Sequence, residues 1–176
     1  MELKIGNTLI GDNHPTYFVA DIAANHDGSL ERALKLIRLS AEAGANAAKF
    51  QKFRGPQIVS DYGFSHMQAQ VSHQAKWRKS VVEVYNDASL PFEWTPILKQ
   101  ACDEVGIDYF SAPYDFDAID MLDPYVPAYK IGSGDITWIE ACLRIASKGK
   151  PVFVAAGASS IGDVQRAQGN LSAALE

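Results

Sequence analysis

Along this chain, short apolar runs alternate with longer segments in which apolar residues recur every three to four positions. That alternation restricts the fold more than any single residue does. A chain that switches repeatedly between strand and helix must cross over after each strand, so its strands lie parallel and its fold class is α/β. Tyr17-Phe18-Val19-Ala20 reads as a buried strand, stopped by Asn25 to Gly28. Ser29 can cap the following helix, in which Leu30, Ala33, Leu34, Ile37 and Ala41 keep helical spacing until Gly44 ends it. The same unit recurs as strands over residues 45–50, 107–111, 128–131 and 152–156. Helices are predicted over residues 91–105, 117–122, 136–147 and from Ile161 onward. Ahead of these units, residues 3–11 alternate apolar and polar residues around Gly6-Asn7, which predicts a short hairpin.

An open doubly wound sheet and a closed (β/α) barrel both use such units, and the position of the polar residues separates them. In an open sheet they gather at one switch point, whereas in a barrel they ring the C-terminal ends of the strands. Here they follow nearly every strand, so a TIM-barrel type (β/α) fold is expected. A complete barrel needs about 250 residues. With 176 residues and about five strand-helix units, this one is expected to be incomplete. Residues 52–90 interrupt the rhythm with a long connection, and Val81, Val84 and Tyr85 predict that residues 79–87 form a helix packed over the barrel mouth.

Composition narrows the chemistry. A hydrophobic share of 47% with 21% charged residues suffices for one core in one domain. The net charge of -5 argues against nucleic acid or an anionic membrane as partner, since both reward clustered Lys and Arg. No apolar run approaches the roughly 20 residues that span a bilayer, and no leader-like segment opens the chain, so a cytoplasmic location is expected. Cys102 and Cys142 lie far apart in amphipathic segments and read as buried reduced thiols.

In a barrel, residues at the strand ends converge on one mouth although far apart in sequence. Asp21, Asn25 and His26 follow the first strand, Lys49 and Gln51 close the second, and Lys130, Ser133 and Asp135 follow the fourth. The fifth runs into Gly157-Ala158-Ser159-Ser160. Lys49 is the most informative residue, because a lysine inside Ala47-Ala48-Lys49-Phe50 costs free energy unless an anion meets it. That anion is a substrate carboxylate or phosphate, or else Asp21 or Asp135; imine chemistry at Lys49 is a third use. Beside Lys130, Gly132 and Gly134 let backbone N–H groups approach an anion, and Ser133 adds a hydroxyl. Asp135 also suits a helix N-cap, and His26 suits a general base, a ligand or a turn histidine bonded to backbone. His66 and His73 lack the carboxylate or cysteine neighbours of a metal site.

Taken together and in order, Asp21-Ile22-Ala23-Ala24-Asn25-His26-Asp27-Gly28, Gly44-Ala45-Asn46-Ala47-Ala48-Lys49-Phe50-Gln51, Pro127-Ala128-Tyr129-Lys130-Ile131-Gly132-Ser133-Gly134-Asp135 and Gly149-Lys150-Pro151-Val152 resemble the N-terminal part of the sialic acid synthase family, which includes legionaminic and pseudaminic acid synthases. The resemblance implies condensation of phosphoenolpyruvate with an N-acylated mannosamine-type sugar, with release of phosphate, by a homo-oligomeric enzyme using a divalent metal, manganese or magnesium. It implies that Lys49, Lys130 and Ser133 hold phosphoenolpyruvate, that Gln51 faces the sugar with Asn25 and His26 nearby, and that Asp21 and Asp135 stand where the family has catalytic glutamates. Ala112 and Ala155 replace hydroxyl residues common in the family, and Lys76 falls near an expected sugar-contacting Asn. The metal-binding histidines and the antifreeze-like domain of the family belong beyond residue 176, so no metal ligand is expected within this chain. Two other readings follow from the residues alone: a non-catalytic, self-associating barrel fragment, and another barrel lyase or aldolase acting through Lys49.

Overall fold

The computed structural model describes residues 2–67 and 76–173. Its first element is the hairpin of β1 (Leu3–Ile5) and β2 (Thr8–Ile10), antiparallel with Leu3 opposite Ile10 and Ile5 opposite Thr8. Gly6 takes φ 55°, as the two-residue loop requires, and a Cβ there would meet Asp108 Oδ1 at 2.7 Å. Strand and helix then alternate: β3 (Val19–Ala23), α1 (Leu30–Glu42), β4 (Ala47–Lys52), a helical connection, α5 (Trp94–Glu104), β5 (Asp108–Pro113), α6 (Phe116–Leu122), β6 (Tyr129–Ile131), α7 (Ile139–Ala146), β7 (Val152–Val154) and α8 (Ile161–Ala173). The connection between β4 and α5 carries α2 (Gly55–Ile58), α3 (Asp61–Ser65) and α4 (Val81–Ala88).

Every pairing after the hairpin is parallel. β4 lies between β3 and β5, and β6 pairs with β7. β5 runs beside β6, and Phe110 meets Phe153 of β7 with ring centroids 5.8 Å apart. β3 continues past the expected Ala20 because its ladder with β4 continues, pairing Asp21 with Lys49 before a bulge ahead of Ala23. β5 likewise extends to Pro113, opposite Lys52. Two helices start later than the apolar spacing predicts. Residues 91–93 and 135–138 are spent on turns, closed by Trp94 N to Pro91 O and by Trp138 N to Asp135 O.

Local chemistry explains the helix ends. Ser29 accepts from the Arg32 amide as the N-cap of α1, and Gly44 ends that helix at φ 86°. Ser80 and Glu83 form a complete capping box on α4. Strand alternation then divides the core in two. Ala48, Phe50 and Tyr109 face the helices and pack with Ile37, Leu98 and Cys102. Ala47, Phe110 and Ala128 face the other way and are closed off by Ile5 of the hairpin. Each large side chain buried in this way contributes roughly 1.5–3 kcal/mol. The hairpin therefore seals the N-terminal end of the strands on the face away from the helices and leaves the C-terminal end open. Cys102 and Cys142 are free and buried, and burial pushes the Cys102 thiol up to about 12. Among the described residues no helix is long and apolar enough to cross a membrane.

Candidate active site

The residues on the sealed face of β4 are Ala47, Lys49 and Gln51, so the strand itself carries Lys49 and Gln51 from the apolar plug toward the open end. Lys49 is 9% exposed, and its Nζ lies 2.7 Å from Asp21 Oδ1, directly across the ladder. The pair is asymmetric: the Asp21 side chain is 63% exposed against 11% for Lys49. Asp21 therefore meets the cation from the solvent side.

Lys130 occupies the corresponding place on β6. Burial lowers its pKa, nearby Lys49 lowers it further, and Asp21 and Asp135 oppose both effects. The charges of Lys49, Asp21 and Asp135 thus all act on Lys130. Burial raises the Asp135 carboxyl, against the pull of Lys130. A Cβ on Gly132 would stand 2.5 Å from Asp135 Oδ2 and 3.4 Å from the Tyr114 ring, so a side chain there would displace the Asp135 carboxylate. Ser159 Oγ donates to the Ser133 carbonyl at 3.2 Å, which brings the loop between β7 and α8 against Ser133.

A cleft of about 400 Å³ opens here. Gln51, Tyr114, Lys130, Ser133 and Asp135 form its polar side, and Phe53, Ile58, Val59 and Tyr85 form an aromatic and aliphatic wall. The structure thus gathers Lys130, Ser133, Asp135 and Gln51 around one space; the Lys49–Asp21 pair does not line it, but both charges act on Lys130. A larger cleft of about 640 Å³ lies at the N-terminal end of the strands. Its lysine, Lys99, is already held by Asp103 at 2.6 Å, and its Asp108 accepts from Tyr17 at 2.5 Å. The smaller cleft, lined by Lys130 with the charge of Lys49 acting on it, is the one suited to an anion.

Two expected residues are placed elsewhere. His26 is fully buried on the helix side, edge-on to Trp94 with centroids 5.8 Å apart, and accepts from the Gly28 amide at Nδ1, 3.1 Å. Burial lowers its pKa. Asn25 is exposed, donating to the Ile22 carbonyl at 2.9 Å and accepting from Arg32 on its own carbonyl at 2.7 Å. Both shape the turn after β3 and neither lines the cleft, because the bulge and the positive φ of Ala23 turn the chain toward the helices. Asp135 does not cap α7, whose N-cap is Trp138. His66 stacks on Tyr62, while His73 lies outside the described residues.

Tyr114 is the cleft residue that sequence reasoning missed. Its hydroxyl lies 3.4 Å from Gln51 Nε2, and its amide donates to the Lys52 carbonyl at 3.0 Å. Burial raises its pKa, and Asp135 adds to the rise. Its position two residues beyond Ala112, on the same side of an extended chain, is the signal that marks it.

The profile of the NeuB family matches residues 36–175. The chain belongs to the NeuB family. It is 29% identical to human N-acetylneuraminate-9-phosphate synthase over 86% of its own length and 42% of that protein's. It is 31% identical to pseudaminic acid synthase of Campylobacter jejuni over 88% of its length and 44% of that protein's. The chain thus spans under half the length of these two relatives. The crystal structure of N-acetylneuraminic acid synthetase from Leptospira borgpetersenii, in complex with citrate, superposes with a TM-score of 0.83. That comparison covers 99% of this chain and 56% of the other, at 26% identity.

Proposed function

We propose that this NeuB-family chain carries the phosphoenolpyruvate side of a nonulosonic acid synthase site at the C-terminal mouth of a (β/α) barrel. The observation that carries the reading is the half-buried Lys130, which lines an open cleft beside Ser133, with the buried Lys49 near enough for its charge to act on it. Two cations in a half-dry space gain most from a ligand with two anionic groups, and a phosphate with an adjacent carboxylate is such a ligand. Lys49 would exchange Asp21 for that ligand, and Lys130 and Ser133 would hold its other end.

In the condensation, C3 of the enol phosphate bonds to the aldehyde carbon of the open-chain sugar. Water adds at C2, phosphate leaves, and a 2-keto acid remains. The role of the chain is to hold the enol phosphate against the sugar and to exclude alternative orientations. Asp135, whose carboxyl is raised by burial, is suited to pass a proton at the aldehyde oxygen, and Gln51 with Tyr114 would orient the sugar. A divalent metal accompanies the family resemblance, but among the described residues no three His, Cys, Asp or Glu side chains stand together to hold one.

Ligand-observed saturation-transfer NMR with phosphoenolpyruvate and N-acetylmannosamine tests the reading. Simultaneous transfer to both, with the phosphoenolpyruvate signal lost in Lys130→Met, is expected. Transfer to neither would contradict it. A second reading, self-association, is favoured by exposed apolar side chains on and beside the outer strands: Phe18, just before β3, at 60%, with Phe153 and Val154 of β7 each at 36%. Light scattering over a concentration series separates the two, since a monomer at every concentration removes the second.

A further inference from the structure

Lys52 is fully buried, yet it faces away from the cleft, on the helix side of β4 with Ala48 and Phe50. Burying a lysine costs several kcal/mol unless its donors are satisfied. Here they are satisfied without a carboxylate in contact. Nζ donates to the Leu90 carbonyl at 3.0 Å, the Pro91 carbonyl at 2.8 Å and Thr95 Oγ1 at 3.2 Å. It also lies 4.3 Å from the centroid of the Phe92 ring. Three ammonium donors thus meet three acceptors and an aromatic face, from the turn that joins α4 to α5 and from the start of α5. His26 approaches the same segment from the end of β3, pressed against Trp94.

That turn carries α4, and α4 carries Tyr85, which lines the cleft with its ring 5.7 Å from Phe53. At its other end α4 is held by Asp61, which accepts from the Val82 amide at 3.1 Å, and by close approach to Gly55, where a Cβ would meet the Val82 carbonyl at 2.9 Å. The Lys130 and Ser133 part of the cleft is built on β6 and the loop after it, which make none of these contacts. We propose that Lys52 is a positioning residue: by tying the Leu90-to-Thr95 turn to the end of β4 it fixes α4, and so sets the Tyr85 wall against which the acceptor sugar packs. The second half of this proposal rests on the synthase reading; the first does not.

Lys52→Met keeps the length of the side chain and removes its donors, and Thr95→Val removes one acceptor. Dissociation constants for phosphoenolpyruvate and for N-acetylmannosamine are then measured separately on each folded variant. Lys52→Met should leave the phosphoenolpyruvate constant within about twofold and raise the sugar constant about tenfold, the loss of roughly one well-placed interaction. Thr95→Val should shift the sugar constant the same way by about threefold, and it carries the test if Lys52→Met does not fold. Equal shifts for both ligands, or none, would overturn the proposal. If the unsubstituted chain binds neither ligand, the synthase reading fails on its own, and amide hydrogen exchange decides the positioning role. Faster exchange over residues 81–95 with α1 unchanged supports it, and uniform acceleration or none overturns it.

Discussion

Lys49 and Lys52 are both buried on β4 and face opposite sides of it. Lys49 meets one carboxylate, Asp21, that is itself largely in water, at the edge of an open mouth. Lys52 meets two backbone carbonyls, a hydroxyl and a ring, all fixed in a packed turn. An exposed partner can be exchanged for a ligand at little cost, because water solvates it when it is displaced; a buried carbonyl cannot be released so cheaply. The same residue type on one strand therefore serves binding on one face and architecture on the other.

The comparison breaks most visibly in stability. Lys52→Ala should destabilise the fold by about 3 kcal/mol, combining a cavity with orphaned carbonyls, whereas Lys49→Ala should cost under about 1 kcal/mol. Urea unfolding of the two variants checks this, and equal losses would erase the distinction. Next in size, Asp21→Asn should tighten phosphoenolpyruvate about fivefold, because Lys49 no longer has to leave a carboxylate, a pair worth up to about 1 kcal/mol. Fluorescence titration with the ligand would show the change.

A pH series probes the Lys52 side of the comparison. Burial lowers Lys52 to about 7, below the 10.5 of an unfolded lysine. The unfolded chain therefore binds more protons between those values, and the Lys52 contribution to stability rises with pH across that window. The advantage of the unsubstituted chain over Lys52→Met in melting temperature should accordingly grow from pH 7 to 9. Smallest is Tyr114→Phe, which should weaken N-acetylmannosamine about two- to fivefold through loss of one hydroxyl contact near Gln51. Phosphoenolpyruvate binding, measured in parallel, should not move.

Much of this arrangement is legible in the sequence where local rules act alone. Ser29, Gly44 and Gly6-Asn7 do what their cap and turn chemistry dictates, and the alternation of apolar runs anticipates the order of the parallel strands. Lys49 stands out because it interrupts an apolar segment, and Lys130 because glycines follow it. The rest depends on where strands end, which is decided by ladder partners far away in sequence. Ending β5 at Ser111 leaves Tyr114 in an anonymous loop, whereas pairing through Pro113 delivers it to the cleft. Ending β4 before Lys52 hides the parity that puts this residue on the helix side. His26 follows a strand end, as a site residue would, but the bulge before Ala23 turns it inward against Trp94. The two short helices α2 and α3 have too few residues for periodicity to reveal them.

The central claim is that the cluster of Lys49 and Lys130 at the strand ends is an anion site for phosphoenolpyruvate. Isothermal titration of phosphoenolpyruvate into the unsubstituted chain and into Lys49→Met tests it most directly. Saturable binding that Lys49→Met weakens about 10- to 100-fold, the loss of one charge-assisted hydrogen bond of about 1.5–3 kcal/mol, is the predicted result. Equal affinity in both proteins, or none in the unsubstituted chain, would contradict it.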